Sequence, residues 1–178
     1  LFVATKRQAK NVVKDAAIAA GMPYVTERWL GGMLTNWNTI SKRITRLKML
    51  EDQKASGEME TNYNKKEVGV LTEEITKLNH VFGGVKDMKN MPAAVFVVDA
   101  PHENTAILEA RRLNIPVVAF ADTNANPDLI DYLISANDDA IKSVTVITQM
   151  IADAASAGKT KYAAKHKEEA EQVEGEEK

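Results

Sequence analysis

The chain has 178 residues, 44% of them hydrophobic, and no cysteine; it can bury one sizeable core in one domain or at most two, and disulfides and cysteine-held metals are excluded. Its formal net charge of −2 hides a polarised molecule: residues 1–50 carry nine Lys or Arg against two acidic residues, whereas residues 51–100, 101–150 and 151–178 are each net acidic. No apolar run approaches the ~20 residues of a membrane span.

Residues 1–4 form a short apolar run that reads as a buried strand. The chain starts inside that strand at Leu1, not at Met, and so reads as a fragment or processed form. Residues 6–20 read as a helix, with Ala9, Val12, Val13, Ala16, Ala17 and Ala20 on one face and Gly21 at its end. Residues 23–26 give a second strand. Then comes the most unusual stretch, Arg28-Trp29-Leu30-Gly31-Gly32-Met33-Leu34-Thr35-Asn36-Trp37, which holds both tryptophans around a glycine pair.

More than sixty residues separate this second strand from the next. Ile40, Ile44, Leu47 and Leu50 form one helical stripe, and Val68, Leu71, Ile75, Leu78 and Phe82 form another at heptad spacing. The polar stretch 51–65 between them reads as a tip. An antiparallel helical coiled-coil arm over 37–82 is expected, with helices packed flat on the sheet as the alternative. Residues 93–98 and 116–120 are further buried strands, with a helix between them carrying Ala106, Ile107, Ala110 and Leu113. A fifth strand lies around Tyr132-Leu133-Ile134. Asp138 or Asp139 is expected to cap a last helix carrying Ile141, Val144, Ile147, Met150 and Ile151. Residues 156–178 read as a mobile acidic tail that includes Glu176 and Glu177.

Apolar strands alternating with amphipathic helices predict an α/β fold: a flavodoxin-like, doubly wound parallel sheet of order 2-1-3-4-5, formed by residues 1–36 and 83–155. Its switch point falls near Thr5 and Asp99. No glycine-rich phosphate cradle follows any strand. His80, His102 and His166 match no metal-ligand spacing, and no serine sits in a nucleophile elbow. Asp122, Asp128 and Asp131 read as turn-forming residues, with a Mg²⁺ site as the alternative. A nucleotide- or Mg-binding enzyme or regulator using Thr5, Asp99 and Asp122 is therefore the second functional reading. A scaffold whose arm docks other helices is the third.

The basic end favours a nucleic-acid surface over a merely solvated helix face. Lys42 and Arg46 lie opposite the apolar stripe of the first arm helix, with Arg43 and Lys48 beside them. Lys6, Arg7, Lys10 and Lys14 gather at the first helix of the sheet. Such a surface suits the phosphates of folded RNA, read by shape. Arg28, Trp29, Asn36 and Trp37 complete the candidate set. The tryptophans either stack on bases or, as the preferred reading, wedge between arm and sheet.

The stretch from Val25 to Asn36 resembles the Arg-Trp-Leu-Gly-Gly-x-Leu-Thr-Asn signature of the second protein of the bacterial small ribosomal subunit, the S-two family. Phe2 to Ala9, Gly83 to Met88, Pro92 to Asp99, Ala121 to Asn124, Pro127 to Tyr132 and Asn137 to Ile141 match it as well. The resemblance implies a flavodoxin-like domain with a coiled-coil arm, bound to small-subunit rRNA and to neighbouring ribosomal proteins. It implies that the largest small-subunit protein depends on this one for attachment. It also implies no catalytic role, no cofactor, no membrane and no homo-oligomer, in the cytoplasm or in an organellar ribosome. Family members begin well before Leu1 with a helical region that contacts RNA. Ala100, Ala125, Asn126, Ser135 and Ala136 depart from the family pattern in the loops, not in the signature.

Overall fold

The computed structural model describes residues 1–176, without the side chains of Ala121 and of residues 165–176. Five strands, β1 (Phe2–Val3), β2 (Tyr24–Val25), β3 (Val95–Val98), β4 (Val117–Ala121) and β5 (Tyr132–Ser135), form one parallel sheet. Their order is β2-β1-β3-β4-β5, as the strand and helix rhythm predicts. All four β3 residues are buried, which is why that strand reads as a continuous apolar run.

Side chains alternate between the two faces. Phe2, Phe96, Val98 and Phe120 meet α1 (Lys10–Ala19) and α6 (Ile141–Glu176). Phe2 and Phe96 meet edge to face, with ring centroids 5.4 Å apart. On the other face Val3, Val25, Val97 and Ala119 pack with Ala106, Ile107 and Ala110 of α5 (Asn104–Arg112). That second cluster does not stop at the sheet. It runs on through Met33, Leu34 and Ile40 to Leu47, Leu50 and Met59.

The insertion consists of α2 (Trp37–Ala55), α3 (Glu58–Asn62) and α4 (Lys65–Phe82). Both stripes face inward: Ile40, Ile44, Leu47 and Leu50 are buried, and Ile75 and Phe82 join them with Val68, Leu71 and Leu78 at the margin. Two features depart from the sequence reading. The stretch read as a polar tip contains a helix, and Met59 on it is fully buried. Polar contacts join Arg46 to Glu74 and Asn79 to Glu51, both 28 residues apart. Aligned antiparallel helices would shorten that separation towards the tip, so these contacts do not trace a coiled-coil ladder. Met59 enters the seam as a third element, and the end of α4 is tied to the sheet. There the Tyr24 N–H donates to the Gly84 carbonyl at 3.0 Å. A Cβ at Gly84 would collide with the Tyr24 carbonyl and ring, so only glycine allows that approach. The contact also covers the open edge of β2.

Smaller differences follow the hydrogen bonds. Helix α1 begins at Lys10, because residues 6–9 form a turn. Asn137, not Asp138 or Asp139, accepts the N–H groups of Asp139 and Ala140 ahead of α6. The backbone of α6 stays helical through Glu176, across the start expected for the tail, while Glu177 lies outside the described residues. Among the described residues no helix is long and apolar enough to cross a membrane.

Candidate nucleic-acid interface

The loop after β2 is shaped by one carboxylate. Glu109 sits on the buried stripe of α5 and is only 8% exposed. Its Oε1 accepts from the Trp29 Nε1–H at 3.1 Å and the Gly32 N–H at 2.7 Å. Its Oε2 accepts from the Leu34 N–H, the Thr35 N–H and the Thr35 hydroxyl, each at 3.0 Å. Five donors fill the acceptor sites of one carboxylate. Burial alone would raise the pKa of Glu109, but the donors from Thr35, Leu34, Trp29 and Gly32 outweigh it and hold the group below its usual value.

The sequence folds this way for local reasons. Gly32 takes φ +87°, a left-handed conformation that lets successive N–H groups converge on an anion. Met33 and Leu34 are fully buried beneath the loop. Trp29 and Trp37 are half-buried and pack against the core shared by sheet and insertion, the place the wedge reading gives them. Arg28, Thr35 and Asn36 are left exposed on the outer side.

The candidate cations fall into three groups. Lys6 departs from the surface role suggested by its position in the sequence. Its side chain is 19% exposed and lies 2.7 Å from Asp99, 3.2 Å from Asp138 and 2.6 Å from Asp139. Burial opposes its charge, but the bonds to Asp139, Asp99 and Asp138 prevail and hold its pKa above the ordinary lysine value. Lys10, Arg46 and Lys48 each have one carboxylate partner: Glu27 at 2.8 Å, Glu74 at 3.4 Å and Asp87 at 3.1 Å. Arg7, Lys14, Arg28, Lys42 and Arg43 are exposed, and none of them has a carboxylate partner among the described residues. Arg28, Lys42 and Arg43 flank the loop that Glu109 fixes, on either side of Trp37 in the chain.

The carboxyl ends of the strands, where ligands of open α/β sheets bind, are occupied by the protein's own side chains. The Thr5 N–H and hydroxyl both donate to Oε1 of buried Glu103. A carboxylate thus stands where a nucleotide phosphate would accept those bonds. Asp122 accepts the N–H of Thr123 and Asn126 that of Asp128, the turn chemistry expected of this loop, whereas Asp131 departs from that expectation: it accepts the N–H of Val117, fourteen residues earlier at the start of β4. Among the described residues, no group of three or more His, Asp or Glu is placed to hold a metal ion. Glu109 and Glu103 are the two functional positions that the sequence reading missed. The available signal for Glu109 was an acid on an apolar stripe, three residues after Ala106 and one before Ala110.

Comparison with known proteins adds an independent finding. The family model described as ribosomal protein S2 matches residues 1–158. Small ribosomal subunit protein uS2 of Rhodococcus erythropolis is 51% identical over 158 residues, covering 89% of this chain and 55% of that protein. The protein of the same name from Psychrobacter cryohalolentis is 52% identical over 159 residues, covering 89% of the chain and 60% of its own length. That of Mycobacteroides abscessus is 49% identical, with coverage of 89% and 57%. The chain thus spans about half the length of the curated relatives it matches.

Proposed function

This chain belongs to the ribosomal protein S2 family, and we propose that it is a structural constituent of the small ribosomal subunit that binds rRNA through its basic face. The observation that carries the reading is the set Arg28, Lys42 and Arg43, without carboxylate partners among the described residues, beside a loop held rigid by Glu109. Cations that lack carboxylate partners and stand on a fixed backbone meet phosphate without first giving up an internal bond, so less is lost on binding. Arg7, Lys14 and Asn36 extend the contact. Arg46, Lys48 and Lys10 join it by exchanging their carboxylate partner for a phosphate, whereas Trp29 and Trp37 act from beneath, by setting the angle of the insertion.

The helical insertion is the docking arm in this reading. It helps to attach neighbouring small-subunit proteins, including the largest, and the chain works in the ribosome, in the cytoplasm, with no catalytic role. The occupation of the strand ends by Glu103 and Lys6 supports that role over nucleotide or Mg²⁺ chemistry. The test is incorporation into small subunits in competition with the unaltered chain. The double charge reversal Lys42→Glu with Arg43→Glu lowers occupancy while the thermal unfolding of the isolated chain stays in place. The slope of log affinity for small-subunit rRNA against log salt falls by about two units. Unchanged occupancy and slope sink the proposal.

A further inference from the structure

At the end of the sheet opposite the strand carboxyl ends, the last turn of α5 and the starts of β4 and β5 border a cleft of about 310 Å³, lined by Arg111, Asn114, Ile115, Pro116, Asp131 and Tyr132. Backbone bonds fix its walls. Asn114, at φ +55°, is the left-handed residue that ends α5, and its N–H donates to the Arg111 carbonyl at 3.0 Å. The Ile115 N–H donates to the Ala110 carbonyl at 2.9 Å. Asp131 is pinned twice to Val117: its Oδ2 accepts the Val117 N–H at 2.8 Å, and its own N–H donates to the Val117 carbonyl at 3.1 Å. The Asp131 Oδ1 has no partner among the described residues. Neither has the Arg111 guanidinium, which lines the same cleft and yet makes no ion pair with Asp131. Tyr132 is 64% exposed. A cation and an anion that line one cleft without pairing are a donor and an acceptor left for a ligand that carries both.

We propose that this cleft binds an unpaired guanine base of RNA. Guanine has the complementary edges: N1–H and the N2 amine donate, and O6 and N7 accept. The Asp131 Oδ1 accepts from the first edge and Arg111 donates to the second. The Tyr132 ring stacks on the base, and Ile115 and Pro116 supply apolar contact. Adenine would turn its N6 amine towards Arg111 and a bare N1 towards Asp131, so both contacts would become repulsive. A phosphate is opposed by Asp131, and an apolar side chain would leave two charges covered and unpaired. The Watson–Crick edge must be free, so the base comes from a loop, bulge or single strand. Arg112, exposed and also without a carboxylate partner among the described residues, stands one turn beyond Glu109 and carries the basic face from the loop towards the cleft. The inference rests on the RNA-binding reading above and adds to it a contact that reads base identity.

The test titrates the 178-residue chain, at one salt concentration, with two single-stranded oligouridylates, one carrying a central guanosine and the other a central adenosine. The guanosine strand binds about tenfold tighter. Asp131→Asn keeps an acceptor for the Val117 N–H, so its thermal unfolding stays in place, but it turns an amide donor towards the donors of the base and abolishes the preference. Arg111→Met abolishes it as well. Tyr132→Ala weakens both strands by about tenfold, and Tyr132→Trp restores them. Equal binding of the two strands, or a preference that survives Asp131→Asn, overturns the proposal. If free GMP binds as tightly as the guanosine strand and Asp131→Asn leaves the affinity for small-subunit rRNA untouched, the guanine comes from a free nucleotide and the assignment to RNA is wrong. The Lys42→Glu, Arg43→Glu chain separates failure of the cleft from failure of the basic face. It weakens both strands and keeps their ratio; if it binds both normally while the guanosine preference persists, the basic-face reading has gone and the cleft stands.

Discussion

The loops after β2 and after β1 both close around an ion, a buried carboxylate in the first and a partly covered ammonium in the second, but on opposite principles. Glu109 is held by five N–H and O–H donors, none of them charged. Lys6 is held by three carboxylates, of which Asp138 is buried and Asp139 is 70% exposed at its side chain. The first arrangement fixes a backbone, because three of its donors are peptide groups of the loop itself. The second joins three elements that lie far apart in the chain: the β1 loop, the end of β3 and the entry to α6. Neutral donors give Glu109 directional bonds that salt does not screen. Charge pairs give Lys6 bonds whose strength varies with the exposure of each partner.

The largest expected effect follows from the first arrangement. Glu109→Ala leaves the Gly32, Leu34 and Thr35 amides without an acceptor and should cost roughly 3–4 kcal/mol, read by urea unfolding. Amide exchange at those three residues should quicken ahead of the strands. Lys6→Met should cost about 2 kcal/mol, because buried Asp138 loses its cation while the methionine keeps most of the packing. High salt should reduce the cost of Lys6→Met and leave that of Glu109→Ala unchanged; equal salt sensitivity would erase the contrast.

How far these two clusters could be read from sequence differs as well. The sheet order was legible because the strands are buried on both faces and show as short apolar runs, such as Val95 to Val98. The stripes of α2 and α4 were legible at helical spacing. Met59 was not, since a lone methionine among Glu58, Glu60 and Asn62 carries no periodicity; the Asn64–Glu67 capping box that starts α4 falls at the end of the stretch read as the tip, and the sequence reading passed over it. Glu109 reads as surface until the loop that covers it is in place, and only its position on the apolar stripe betrays it. Lys6 gave no signal at all. Its partners lie 93, 132 and 133 residues away, and no local pattern distinguishes it from Arg7.

Acid sharpens the comparison further. The folded-state pKa of Glu109 is lowered, so its stabilisation is present above the ordinary carboxylate range, about pH 4.3, and is lost as the pH falls through the lowered value. Glu109→Gln should therefore show a shallower loss of stability on acidification than the unaltered chain. For Lys6, with a raised pKa, the sign is reversed: its contribution holds below the ordinary lysine value, about 10.4, and is lost as the pH rises past it. The smallest effect is Asp139→Asn, under about 0.5 kcal/mol, because that partner is mostly solvated.

A density map of the native small subunit carrying this protein is the most direct test of the basic face. The Glu109-fixed loop should lie against rRNA, with the Arg28, Lys42 and Arg43 side chains within hydrogen-bonding reach of phosphate oxygens. The opposite result is a map in which those three side chains extend into solvent or onto acidic protein, with no nucleotide nearby.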